Sequence, residues 1–142
     1  MLVKALVGAV LVQVAMTLAL LAWLGTARAR SAQRGEVRIR EVALSSEAWP
    51  DGIKQIANSF RNQLELPVLF YVVALLAIAT GATDPIVVSL SWLFVLLRIV
   101  HAYIHVTHNI VLQRFKVYVA GFFVLCGLWL YVGIRVMTSG AV

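Results

Sequence analysis

Charge is what this sequence has least of. Only 13% of its 142 residues are Asp, Glu, Lys or Arg, against 62% that are hydrophobic, and the mean hydropathy is +0.93. A soluble domain of this size could not solvate so much apolar surface, so a soluble fold is excluded. Cysteine is nearly absent too. The lone Cys126 rules out a disulfide framework and leaves the redox compartment unread. With three histidines, the chain has too few ligands for a di-iron cluster, and no metal centre is expected. Nothing reads as a nucleic-acid module, an internal repeat or a low-complexity tract.

What is present is four apolar runs: residues 2–25, 56–80, 85–106 and 115–137. Each approaches or exceeds the roughly 20 residues that cross about 30 Å of hydrocarbon. The chain 1–142 is therefore expected to be one all-α integral membrane domain of four spans. Lys4 and the "TARA" after the first run imitate a secretory signal, but the apolar stretch from Ala5 to Leu24 is longer than the roughly 7–15 residues of a signal core. Arg28, Arg30, Arg34, Arg38, Arg40 and Lys54 fall in the connection 26–54, and Arg114 and Lys116 open the last span. The turn "GATDP" between spans two and three holds no basic residue. By the positive-inside rule the first and third connections are cytoplasmic and both termini lie on the other side. The net charge of +6 then reads as topology and contact with anionic membrane lipids.

Within the connection, "EVRIREVAL" (36–44) alternates apolar and polar residues and predicts a short extended piece. "WPDG" breaks the chain before "IKQIANSFRNQLELP" takes up a helical period. Pro67 cannot donate to the carbonyl of Gln63 and should bend the second span just past Glu65. The short connections at Gly81–Pro85 and Thr107–Arg114 make neighbouring spans antiparallel. Trp23, Trp92 and Trp129 suit either interfacial anchoring or packing. Small residues on the first and last spans (Gly8, Ala15, Gly121 and Gly127) allow close helix approach.

The polar residues inside the spans fall into stripes. At about 100° per residue, Asn58, Arg61, Asn62 and Glu65 share a third of the circumference of span two. Arg98, His101, His105, His108 and Asn109 share an arc of span three. Arg114 and Tyr118 form an i, i+4 pair on span four, in line with Gly121, and Gln13, Thr17 and Arg28 align loosely on span one. Antiparallel packing brings all four sets to one depth near the expected cytoplasmic face. Ionisable groups in a span are functional candidates, and these stripes hold more positive charge than Glu65 can neutralise, which suits an anionic ligand. The bland alternative has Glu65 simply neutralising Arg98, the histidines bonding carbonyls and Arg114 snorkelling. A further alternative takes "HAYIHVTH" as haem ligation through His101 and His105.

Laid out this way, the sequence resembles the MAPEG family, membrane-associated proteins of eicosanoid and glutathione metabolism, in a bacterial-type form. "RNQLELP" resembles the family's Arg-Asn-x-x-Glu signature followed by proline. "RIVHAYIH" is similar to its Arg-x-x-His pattern, and Arg114 with Tyr118 match the arginine and tyrosine that open its fourth helix. The resemblance implies a four-helix subunit in a homotrimer of the inner membrane. Glutathione would bind as co-substrate between subunits, and a lipophilic electrophile or peroxide would arrive from the bilayer.

Glutathione has two carboxylates, an ammonium and a thiol. Arg61 and Arg98 would clamp carboxylates. Glu65 would take the ammonium or orient an arginine, and Asn62 and His101 would bond the peptide groups. His105 and Arg28 complete the expected binding set. Arg114 would favour the thiolate of a thiol whose ordinary pKa is about 8.5, with Tyr118 as a second donor. Phe115 stands where the prostaglandin E synthase branch has serine, His105 where it has tyrosine, and Asn58 where it has arginine. These departures point to a general glutathione transferase or peroxidase, with a non-catalytic lipophile-binding or scaffold protein as the alternative.

Overall fold

A computed structural model describes residues 1–43 and 45–138. The described residues form six helices and no strand: α1 Leu2–Gln33, α2 Ile39–Val42, α3 Asp51–Asn62, α4 Leu66–Ala79, α5 Pro85–Val106 and α6 Val111–Thr138. The four expected apolar crossings are present, with α3 and α4 together making the second over Asp51–Ala79.

The extended piece expected over 36–44 is instead the single turn α2, with Leu44 outside the described residues. An extended segment needs a neighbouring edge for its N–H and C=O groups, and the described residues offer none. The backbone pairs locally, Glu41 N–H donating to Arg38 O at 2.9 Å.

At 32 residues, α1 is about 48 Å long and overshoots a hydrocarbon layer of about 30 Å. Its last turns give α3 something to dock on. Apolar Ile53, Ile56 and Ala57 line one face of α3 and pack with Leu24, flanked by Trp49 and Phe60. The charged face of α3 remains outside.

The second crossing does not merely bend at Pro67; it breaks over residues 63–65. The chain leaves α3 through i to i−3 bonds from Gln63 N–H to Phe60 O and from Leu64 N–H to Arg61 O. Glu65 turns to φ −101°, ψ −106°, and α4 restarts with Pro67 in its first turn. Proline costs nothing there because the first helical N–H groups have no intrahelical acceptor. A non-helical segment at membrane depth is tolerated only where other groups satisfy its backbone.

Helix α5 is the shared element, packing against α1, α3, α4 and α6. Phe70 of α4 and Phe94 of α5 stack at 5.0 Å between ring centroids, and Leu6, Val73, Val95 and Leu128 close the core around them. Trp92 packs within the bundle, its Nε1–H donating to Ala5 O at 3.1 Å. Gly8 faces this Trp92 ring and Gly121 faces Leu97, so two of the small residues serve contacts inside the chain. Ala15 and Gly127 face outward.

The turn before α5 is fastened by one carboxylate. Gly81, at φ +67°, supplies the left-handed residue that ends α4. Asp84 then caps α5, its Oδ1 accepting from the N–H groups of Ile86 and Val87 at 3.0 Å each. Its Oδ2 accepts from the Tyr131 hydroxyl at 2.6 Å and from Arg135 Nη1 at 3.2 Å. Burial opposes the charge, but the Tyr131 hydroxyl, the two backbone N–H groups and Arg135 outweigh it and hold the carboxyl below its ordinary value.

A depressed carboxyl stabilises the fold above its unfolded pKa of about 3.9, and that contribution is lost as pH falls through the folded value. Asp84→Asn should therefore lower the thermal midpoint in detergent at neutral pH. The cost should be about 1 kcal/mol, since Arg135 is half-exposed and its pair screened. The difference from wild type should shrink as the pH drops below about 4. A pH-independent difference would show that the charge is not what Asp84 contributes.

Candidate functional site

The break in the second crossing builds the centre of the polar layer. With the helix interrupted, the carbonyl of Asn62 turns to α5 and accepts from Arg98 Nη2 at 2.8 Å. Arg98 is the largest of the fully buried side chains, with 1% of its surface exposed. Its second acceptor is Gln63 Oε1 at 3.4 Å, and the same oxygen accepts from Gln13 Nε2 of α1 at 3.1 Å. Gln63 Nε2 in turn donates to Ser59 O at 3.1 Å. One amide thus links α1, α3 and α5. The Arg98 guanidinium also lies 6.0 Å from the Tyr118 ring centroid, a cation–π contact.

His101 and His105 continue the α5 stripe and are both buried. Their rings meet edge to face at 5.7 Å, and His101 lies 5.7 Å from the Tyr118 ring. Arg98 Nε and Nη1 and the Nδ1 atoms of both histidines are buried without a hydrogen-bond partner among the described residues. Buried polar atoms without partners call for a physical explanation, a bound water or ligand being one.

Beside this group an open cleft of about 260 Å³ is lined by Asn62, Glu65, His101, Arg114, Phe115 and Tyr118. Five of the nine expected site residues therefore share one surface, with Arg98 and His105 buried close by. Glu65 is exposed on it and forms no ion pair among the described residues. No direct ion pair joins Glu65 to Arg98 among the described residues; the hydrogen-bond acceptors of Arg98 are a backbone carbonyl and a neutral amide, and Glu65 acts on it only through space.

Arg28 and Arg61 lie elsewhere. They line a second cleft with Trp49, Lys54 and Asn58, the Arg28 guanidinium sitting 5.4 Å from the Trp49 ring centroid. The single stripe read on span two thus divides between two clefts. A step of about 100° separates Arg61 from Asn62, and the break then carries Glu65 to the Asn62 side.

Two contributors escaped the sequence reading. Gln63 lies in the quoted motif but is uncharged, and its role appears only once the helix breaks beside it. Gln55 of α3 donates to His105 O at 2.6 Å and to Thr107 O at 3.0 Å. It fastens α3 to the end of α5, and only its place off the apolar face of α3 hinted at this.

A bundle of four helices long and apolar enough to cross a membrane, with arginine, histidine and a carboxylate gathered at one end, is an integral membrane protein with a clustered polar layer. The model of the MAPEG family matches residues 6–134, and the chain belongs to that family. No curated protein and no solved structure matches it.

The amide bridge has a measurable consequence. Gln63→Leu removes the only side-chain acceptor of Arg98 among the described residues and the acceptor of Gln13 while leaving both buried, which should cost about 1 to 3 kcal/mol. Unfolding in mixed micelles measures it. Gln13→Leu, which leaves Arg98 both acceptors, should cost less.

Proposed function

We propose that this protein is a glutathione-dependent transferase or peroxidase acting on lipophilic electrophiles or hydroperoxides. The observation that carries the reading is the cleft itself. It sets Arg114 with Tyr118, Glu65, Asn62 and His101 on one surface open to the outside of the bundle. Glutathione needs cationic donors, an anionic acceptor and amide-bonding groups together, and this surface offers each.

In the proposed chemistry Arg114 stabilises the thiolate, and the thiol proton goes to water. With an aryl halide, sulfur forms the carbon–sulfur bond and halide leaves with the old bonding pair. With a hydroperoxide, sulfur attacks the distal oxygen and the O–O bond breaks to give an alcohol. The resulting sulfenic acid takes a second glutathione to form the disulfide and water. Tyr118 supplies a second hydrogen bond to the sulfur, and Glu65 receives the ammonium.

The separate position of Arg28 and Arg61 supports a shared site in a homotrimer. One chain presents the Arg114 cleft, and its neighbour brings Arg28 and Arg61 to the same ligand. An exposed carboxylate such as Glu65 at membrane depth is costly without such a partner. The basic end is assigned to the cytoplasmic face by the distribution of lysine and arginine.

Arg114→Ala tests the chemistry. It should reduce turnover of a lipophilic aryl halide roughly 10²-fold to 10³-fold, by analogy with loss of one oxyanion donor, while weakening glutathione binding much less. Wild type should show near-ultraviolet thiolate absorbance at a pH where free glutathione shows little, and the variant should lose it. If wild type binds glutathione without a thiolate signal and turns over neither substrate class, the protein is a binder or scaffold.

Native mass spectrometry from mild detergent checks assembly. Three chains are expected, and a monomer that keeps full glutathione affinity would remove the shared site.

A further inference from the structure

The connection between α5 and α6 is built around one residue, Asn109. At φ 47° it is the only non-glycine with positive φ among the described residues. Asparagine is among the few L-residues that enter this region, and glycine would do so with less strain. The backbone alone does not account for the choice. The side chain does something glycine cannot, for Asn109 Oδ1 accepts a hydrogen bond from Arg114 Nη1.

The surrounding contacts hold Asn109 in place. Its N–H donates to Ile104 O at 2.8 Å, closing the end of α5. Thr107 Oγ1 donates to Tyr103 O at 2.7 Å, and His108 bridges Thr107 Oγ1 at 3.1 Å to Gln113 Oε1 at 3.2 Å. From α3, Gln55 clamps the carbonyls of His105 and Thr107. The carbonyl that meets Arg114 is therefore anchored to two helices. Arg114 itself is half-buried at the cleft, and this is its only side-chain hydrogen bond among the described residues.

We infer that Asn109 is a positioning residue for Arg114: a neutral acceptor on a rigid left-handed turn that aims the guanidinium into the cleft and leaves its charge undiminished. The inference rests on the proposed role of Arg114 at the thiolate. An arginine loses rotamer freedom when it is fixed, and that loss opposes binding if the ligand has to impose it. Asn109 imposes it before the ligand arrives, which is how a supporting side chain sharpens a site. Neutrality matters because aspartate would aim the guanidinium equally well while cancelling the charge that the sulfur needs.

Two variants separate aim from charge, and both tolerate the backbone. Asn109→Gly keeps the left-handed turn and removes the acceptor. Turnover of a lipophilic aryl halide should fall about tenfold, the worth of a hydrogen bond to a charged group, with glutathione affinity and thermal midpoint near wild type. Asn109→Asp keeps the aim and adds a negative charge. The onset of thiolate absorbance and of turnover should move to higher pH, with activity recovering under alkaline conditions. The other ionisable groups sharing the cleft with Arg114 are Glu65 of the break, His101 of α5 and Tyr118 of α6. They are common to all three proteins, so the displacement belongs to position 109.

A readout independent of turnover is the side-chain nitrogen NMR of Arg114. Its Nη signals should be distinct in wild type and averaged in Asn109→Gly. Equal averaging in both proteins overturns the inference whether or not the enzyme is active. So does an active wild type whose two variants match it in turnover and thiolate pH profile, or variants whose activity falls only in step with their stability. A wild type that fixes Arg114 but forms no thiolate sinks the catalytic reading and, with it, the role assigned to Asn109.

Discussion

A guanidinium with 1% of its surface exposed, inside a bundle that crosses a membrane, constrains everything near it. Arg98 remains charged at any ordinary pH, and hydrocarbon offers no water to solvate it. Its partners must come from the protein, and the neighbouring helices supply them by giving up regularity. The second crossing breaks over 63–65 and lends the Asn62 carbonyl, and Gln63 carries the link on to Gln13. Removing one partner from a buried charge costs more than the pair contributes. The break, the buried arginine and the amide bridge therefore stand or fall together.

The two ends of the bundle are finished differently. At one end the Asp84 carboxylate joins a helix cap to Tyr131 and Arg135 of α6. At the other, α3 docks on the overhang of α1 and through Gln55 on the end of α5, leaving clefts on either side. Apolar side chains gain little by meeting each other in place of lipid tails. Close packing around Phe70 and Phe94, together with these polar fastenings, therefore sets the arrangement of the helices.

The four crossings were legible in the sequence because length and apolarity decide them without reference to partners. The α5 stripe was legible for a related reason: an unbroken helix keeps its period from Arg98 to His105. Span two was read less well, since angular arithmetic assumes a continuous helix and this one breaks over 63–65, ahead of Pro67. Arg61 and Asn62 part because about 100° separates them on α3, and the break leaves Glu65 on the Asn62 side. Of the neutral amides only Gln13 stood out, as one of a loose polar set on span one; Gln55 and Gln63 gave no warning, because their importance comes from which carbonyls and charges the fold brings to them. The contact of Asp84 with Tyr131 and Arg135 spans 47 and 51 residues, beyond the reach of any local pattern.

The break in the second crossing also has an electrical side. A helix that restarts at Leu66 creates a new N-terminus inside the bundle, and α6 begins at Val111 beside the same cleft. Each N-terminus presents unpaired N–H groups equivalent to about half a positive charge, fading within the first turn. The cleft thus takes in the positive poles of α4 and α6 together with the negative pole of α3, which ends at Asn62 on the same surface. Side-chain substitution can subtract Arg114, yet this polarisation belongs to the main chain and persists for as long as the helix remains divided.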